Sequence, residues 1–80
     1  AIGKIVYTPR NRDNFVRKGD LYELFVCHGG KWKSAGTQVA QSDSLLFKGI
    51  PKHALLLLRD LSRGEAERLF EYKDGVQKYW

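Results

Sequence analysis

The dipeptide Asp74-Gly75 constrains the fold of this chain more than any other feature. It sits between Glu67-Arg68-Leu69-Phe70-Glu71-Tyr72-Lys73 and Val76-Gln77-Lys78-Tyr79-Trp80. Both loop positions of a type I′ turn need positive φ, which Asp-Gly adopts at little steric cost, and the flanking runs have the aromatic and aliphatic content of strands. The turn therefore predicts a β-hairpin of definite register. Counting outward, Lys73 faces Val76, Tyr72 faces Gln77, Glu71 faces Lys78, Phe70 faces Tyr79 and Leu69 faces Trp80. Aromatic and opposite-charge pairs of this kind each contribute a few tenths to about 1 kcal/mol. A lone hairpin is marginal in water and needs a surface to pack on, and the run Leu55-Leu56-Leu57-Leu58 just before it is the natural candidate.

A second two-residue turn is predicted at Gly29-Gly30, between a strand over Leu21 to His28 and a return over Lys31-Trp32-Lys33-Ser34. In that register Trp32 faces Cys27 and shares a face with Phe25, while Lys31 and Lys33 point the other way. Gly36 interrupts the return and marks a bulge, after which Thr37 to Ala40 continue it. Earlier in the chain, Lys4 to Thr8 reads as a strand ended by Pro9. Arg10 to Asp20 reads as a loop anchored by Phe15 and Val16, with a turn at Lys18-Gly19-Asp20. Leu45-Leu46-Phe47 is a short apolar segment, and Lys48-Gly49-Ile50-Pro51 reads as a break.

Between Ile50 and Tyr72 the local signals conflict. Pro51 suits the first position of a helix, Leu55, Leu58 and Leu61 are three apart, and Ser62-Arg63-Gly64-Glu65 has the form of a capping box. Propensity alone would write two helices. Four consecutive leucines bounded by Pro51 and by Asp60 to Gly64 equally fit a short strand buried on both faces. The Asp74-Gly75 turn requires an extended run before it, which tips the reading to strand.

Eighty residues make one domain with a core of modest size, spanning 1–80. No run approaches the roughly 20 apolar residues that span a bilayer, so membrane insertion is not expected. The chain opens on Ala1-Ile2-Gly3 and closes on Trp80, and is read as a domain excised from a larger protein. Fourteen basic against nine acidic side chains leave a net charge of +5, with Lys4, Arg10, Arg12, Arg17 and Lys18 facing only Asp13. Such a balance suits a polyanion partner and also serves solubility.

Few residues carry chemistry. His28 and His53 are the only histidines and are not at ligand spacing, and adjacent Cys27 and His28 project to opposite faces of a strand, so no metal or other cofactor is expected. Cys27 lies in an apolar strand and reads as core rather than nucleophile. Glu67 and Glu71 alternate with core residues as solvated positions do, and the glycines lack a phosphate-loop context. The chain is therefore read as non-catalytic. The aromatics Tyr7, Tyr22, Trp32, Tyr72, Tyr79 and Trp80 offer a stacking surface, whereas Phe25, Phe47 and Phe70 are assigned to the core. Trp32 and Lys33 at the hairpin tip, Arg59 and Arg68 on neighbouring strands as an anion site or as partners of Glu71 or Asp60, and Tyr79 and Trp80 at the end form the candidate ligand-binding set.

The succession Tyr22-Glu23-Leu24-Phe25, Gly30-Lys31-Trp32-Lys33-Ser34, Ile50-Pro51-Lys52-His53-Ala54-Leu55-Leu56, Leu58-Arg59-Asp60-Leu61-Ser62-Arg63-Gly64, Glu67-Arg68-Leu69-Phe70 and Asp74-Gly75-Val76-Gln77-Lys78-Tyr79-Trp80 carries a resemblance over most of the chain from about Tyr7. It resembles the small β-sandwich module at the C-terminal end of multidomain secreted or surface proteins of Bacteroidetes-type bacteria. Some of those proteins carry a transglutaminase-like, papain-fold domain upstream. At Cys27-His28 the chain departs from that pattern, where an aromatic and an acidic or amide residue are more usual. The resemblance implies an all-β antiparallel sandwich of Ig-like or jelly-roll type with about seven strands, export to the cell surface or beyond, and an accessory role. That role is to space or orient a catalytic domain of the same polypeptide, or to adhere to extracellular glycan or protein. The alternative from the residues alone is a basic nucleic-acid-binding barrel of OB or SH3-like type, which requires a strand-borne aromatic patch beside lysines and arginines.

Overall fold

The computed structural model describes residues 5–7, 14–51, 53–64, 66–74 and 76–79. Among these the chain is all-β and antiparallel, with no α-helix. The strands are β1 (Ile5–Tyr7), β2 (Leu21–His28), β3 (Lys31–Val39), β4 (Phe47–Ile50), β5 (Ala54–Asp60), β6 (Ala66–Lys73) and β7 (Val76–Tyr79). Five of them form one sheet in the order β3-β2-β5-β6-β7, and β1 pairs separately with β4.

Both tight hairpins form in the predicted register. Phe70, Glu71, Tyr72 and Lys73 pair with Tyr79, Lys78, Gln77 and Val76, and the further pair Leu69 with Trp80 lies outside the described residues. Asp74 takes φ of 51°, the left-handed value that a type I′ turn demands. In the other hairpin Cys27 pairs with Trp32, and Gly29 and Gly30 have φ of 58° and 78°. The predicted bulge is present as well: Leu24 pairs with Gly36 and Phe25 with Ser34, leaving Ala35 as the extra residue. Gly36 holds φ of 118°, and a Cβ placed there would meet nothing within 4 Å. Its constraint is therefore backbone strain alone. Gly36→Ala is expected to lower stability by about 1–2 kcal/mol in urea denaturation without enlarging any steric contact.

The contested segment is extended. β5 is the central strand of the five, pairing with β2 on one side and β6 on the other. Ser62-Arg63-Gly64, which has the spelling of a helix cap, forms the turn between β5 and β6, where the Ser62 hydroxyl accepts the Leu21 N–H at 2.9 Å. Lys48-Gly49-Ile50, read from the sequence as a break, is instead strand paired with β1, with Gly49 at φ of 76° inside it.

One face of the five-stranded sheet carries the core. Tyr22, Leu24, Leu56, Leu58, Phe70 and Tyr72 point inward, and Phe15, Val16, Leu45, Phe47 and Ile50 close over them from the loops and from β4. The loop prediction for Phe15 and Val16 holds, since both are buried. The side-chain amide of Gln38 ties the segment before β4 to β3, donating to the Leu46 carbonyl at 2.7 Å and accepting the Leu46 N–H at 2.8 Å. It acts as a bridge in place of a strand pair.

Candidate functional site: an open sheet face and an arginine pocket

Strand alternation sends every second residue to the face opposite the core. On β5 this separates neighbouring leucines: Leu56 and Leu58 are fully buried, while Leu55 is 39 % exposed and Leu57 only half-buried. The leucine run, expected to be buried on both faces, is thus covered on one among the described residues. Leu69 on β6 is 52 % exposed beside the fully buried Phe70, and Trp32 on β3 is 45 % exposed. Register places Trp32 opposite Cys27, and Phe25 opposite both Ser34 and Leu57, with Leu69 next across the sheet. An apolar band therefore crosses four strands of the open face.

Phe25 belongs to this band and not to the core, which corrects its assignment from sequence. Its position follows from parity, because Tyr22 and Leu24 take the inward sites of β2. The Arg59 guanidinium lies 5.0 Å from the Phe25 ring centroid and donates from Nε to Glu67 Oε2 at 2.7 Å. Cys27 is likewise half-buried on this face rather than in the core. The band is flanked by charges of both signs, Glu23, Arg59 and Glu67 on one side and Glu71 and Lys78 on the other. With Lys73, which shares the parity of Glu71 on β6, three acids and three bases stand on this face among the described residues.

The candidate ligand set does not assemble into one site. Trp32 and Arg59 lie on the open face, whereas Lys33 pairs with Val26 and Arg68 with Leu58, both on the core side. Arg59 and Arg68 occupy neighbouring strands as expected but opposite faces, so they form no joint anion site. Their predicted acidic partners also differ: Arg59 takes Glu67, and Asp60 takes Arg63. Tyr79 pairs through β7 with Phe70, and Trp80 lies outside the described residues. Lys33 lines a recess of about 250 Å³ between the β2–β3 hairpin and β4, together with His28 and Lys48. His53 Nε2 lies 3.3 Å from Asp74 Oδ1 on the surface. Among the described residues no group of three or more His, Cys, Asp or Glu side chains is placed to hold a metal ion.

A cluster that sequence reading missed lies where the β5–β6 turn meets the loop before β2. Asp60 is fully buried. Its Oδ1 accepts the N–H groups of Ser62 and Arg63 at 2.8 and 3.1 Å, and its Oδ2 accepts Arg63 Nε at 3.0 Å. Burial alone would raise this carboxyl. The Ser62 N–H, the Asp20 side chain and the Arg63 guanidinium outweigh burial and hold it below its ordinary range. Arg63 also donates to Asp20 Oδ2 at 2.7 Å and, from Nη2, to the Phe15 carbonyl at 3.1 Å. Tyr22 is the hub beneath: its hydroxyl accepts the Arg17 N–H at 2.7 Å and donates to the Phe15 carbonyl at 2.9 Å. Burial pushes its phenol above the ordinary value, against the Arg17 N–H, which favours the phenolate. Arg17, Arg63 and Arg68 line a recess of about 170 Å³ with Asn14, Phe15 and Ala66. One signal could have found it. Position 60 shares its parity with Leu56 and Leu58, so alternation itself implies a buried aspartate that needs a cationic partner.

Comparison of the chain with protein-family models, curated proteins and solved structures finds no match.

Proposed function

We propose that this chain is a non-catalytic accessory module of an exported or cell-surface protein. It packs the open face of its five-stranded sheet against a neighbouring domain of the same polypeptide and so orients that domain. The β1–β4 pair serves as the second layer of a small sandwich of Ig-like or jelly-roll type. The observation that carries this reading is the central strand, whose outward Leu55 is exposed and Leu57 only half-buried among the described residues, although central strands with leucine on both sides are normally buried on both. A contiguous apolar band of this kind marks an interaction surface. Its self-balanced charges suit a protein surface. A polyanion would call for lysines beside Trp32, and Lys31 and Lys33 project to the other face. The sequence resemblance to C-terminal modules of multidomain surface proteins supports the same reading.

Cys27, the single cysteine, lies within the band and reports on its coverage. Site-resolved alkylation should label Cys27 at least about tenfold more slowly in the full-length polypeptide than in the 80-residue chain, the ratio expected for a docked population favoured by about 1.4 kcal/mol. Leu69→Glu should restore the faster rate while changing the stability of the 80-residue chain by less than about 0.5 kcal/mol. Equal labelling of the two wild-type forms, or a reading frame with no further domain, overturns the proposal.

A further inference from the structure

We propose that the recess between the β2–β3 hairpin and β4 binds a small organic carboxylate, its acidic group at Lys33 and Lys48 and its apolar body on Val26, Ala35 and Pro51. Among the described residues β3 and β4 share no ladder and are joined through the Gln38 side chain and Leu46, so toward the hairpin tip they part. Strand parity supplies the floor. Val26 has the parity of Tyr22 and Leu24 and packs against the core, and Lys33, its partner on β3, projects to the same side. His28 follows Val26 at the same parity and lines the recess as well. An inward lysine on an edge strand guards it against pairing with another chain. That role accounts for Lys33 but not for Lys48, which lines the same recess from β4.

Charge selects an anion. Neither Lys33 nor Lys48 forms an ion pair among the described residues. The residues outside the described ones that adjoin this recess in sequence, Lys52 after Pro51 and Ala1 to Lys4 before β1, include no acid. The acids outside the described residues, Asp13 and Glu65, adjoin Asn14 and Ala66, which line the arginine recess at the other end of β2. Size then selects among anions. A recess of about 250 Å³ holds about eight non-hydrogen atoms at the ~30 Å³ that one water occupies in the liquid. A phosphate or sulfate ester takes up more than half of that with its head group and leaves the apolar floor largely bare. A carboxylate leaves most of it for carbon, and burying that carbon against Val26, Ala35 and Pro51 adds to the attraction of the lysines. The recess lies on the core side of the hairpin, opposite the docking face, and does not rest on the docking proposal.

The test is an amide chemical-shift titration of the 80-residue chain with four probes: hexanoate, hexanamide, acetate and hexyl phosphate. Hexanoate should give saturable shifts centred on Val26, His28, Ala35 and Gly49, which line the recess. Hexanamide, which keeps the body and loses the charge, and acetate, which keeps the charge and loses the body, should each bind at least about tenfold more weakly. Lys33→Gln combined with Lys48→Gln should weaken hexanoate binding at least about tenfold. Arg17→Gln combined with Lys18→Gln removes as much charge from the other end of β2 and should change affinity less than about twofold in about 0.1 M salt, where distant charges are screened. The amide spectrum of each variant checks that it is folded. Equal losses in the two double variants, equal binding of hexanamide or of acetate, tighter binding of hexyl phosphate, shifts centred away from the recess, or no saturable shifts each overturns the proposal.

Discussion

Phe70→Ala is expected to cost about 4 kcal/mol in equilibrium denaturation, the loss typical of emptying a fully buried aromatic site. Phe70 is fully buried on β6, pairs with Leu56 on one side and Tyr79 on the other, and packs in the cluster that holds the layers together. A chain of this length has only about 4 to 12 kcal/mol of total stability, so the variant should be largely unfolded or close to it. Leu69→Ala, one residue away, should change stability by less than about 1 kcal/mol, because the open face leaves that side chain half in water. The contrast is the informative quantity. Comparable losses at both positions would mean that the open face is already covered when the 80-residue chain is on its own, for instance by a second copy, and would remove the basis of the docking proposal.

Asp60→Asn should lower stability by about 3 kcal/mol and should also change how stability depends on pH. The amide can keep the two backbone N–H bonds at Oδ1, but its NH2 then opposes Arg63 Nε where Oδ2 now accepts. The acid limb follows from the direction of the carboxyl's shift. Folded Asp60 titrates below the unfolded value of about 3.9, so as pH falls the unfolded chain takes up the proton first. Its contribution is complete above about pH 5 and is lost progressively below about pH 4. Tyr22 sets the other limb. Its folded phenol titrates above the unfolded value of about 10, so the unfolded chain releases that proton first and stability falls as pH rises past about 10. Denaturation midpoints measured from pH 2.5 to 11 should therefore trace a plateau with two shoulders. Asp60→Asn should flatten the acid one and leave the alkaline one in place. An acid shoulder of undiminished depth in that variant would assign it to other carboxylates.

How much of this was legible beforehand depended on the range of the signal. The hairpins at Asp74-Gly75 and Gly29-Gly30, their registers and the bulge at Gly36 were all readable, because turn chemistry and strand alternation act over a few residues. The strand nature of Ala54 to Asp60 was decided by the downstream turn against helix spacing in the segment itself. Phe25 was misplaced because a phenylalanine in an apolar strand does not say which of its faces will be covered. Asp60 reads locally as a partner for Arg59 or Arg68, although its parity with Leu56 and Leu58 carries the information that it is buried. The arginine recess left no local trace: Arg63 meets the Phe15 carbonyl across 48 positions of sequence and Asp20 across 43.

By itself the sequence determined that this chain is a small antiparallel β protein with two tight hairpins. Tertiary structure alone decided which side of the five-stranded sheet is buried, and with it that Leu55, Leu69 and Trp32 face outward while Arg17, Arg63 and Arg68 gather around Tyr22 and Phe15. The division has a physical cause. Turn geometry and alternation are set by steric forces between near neighbours, whereas covering a face and pairing a buried charge depend on which distant segment arrives there, and no local pattern encodes that choice.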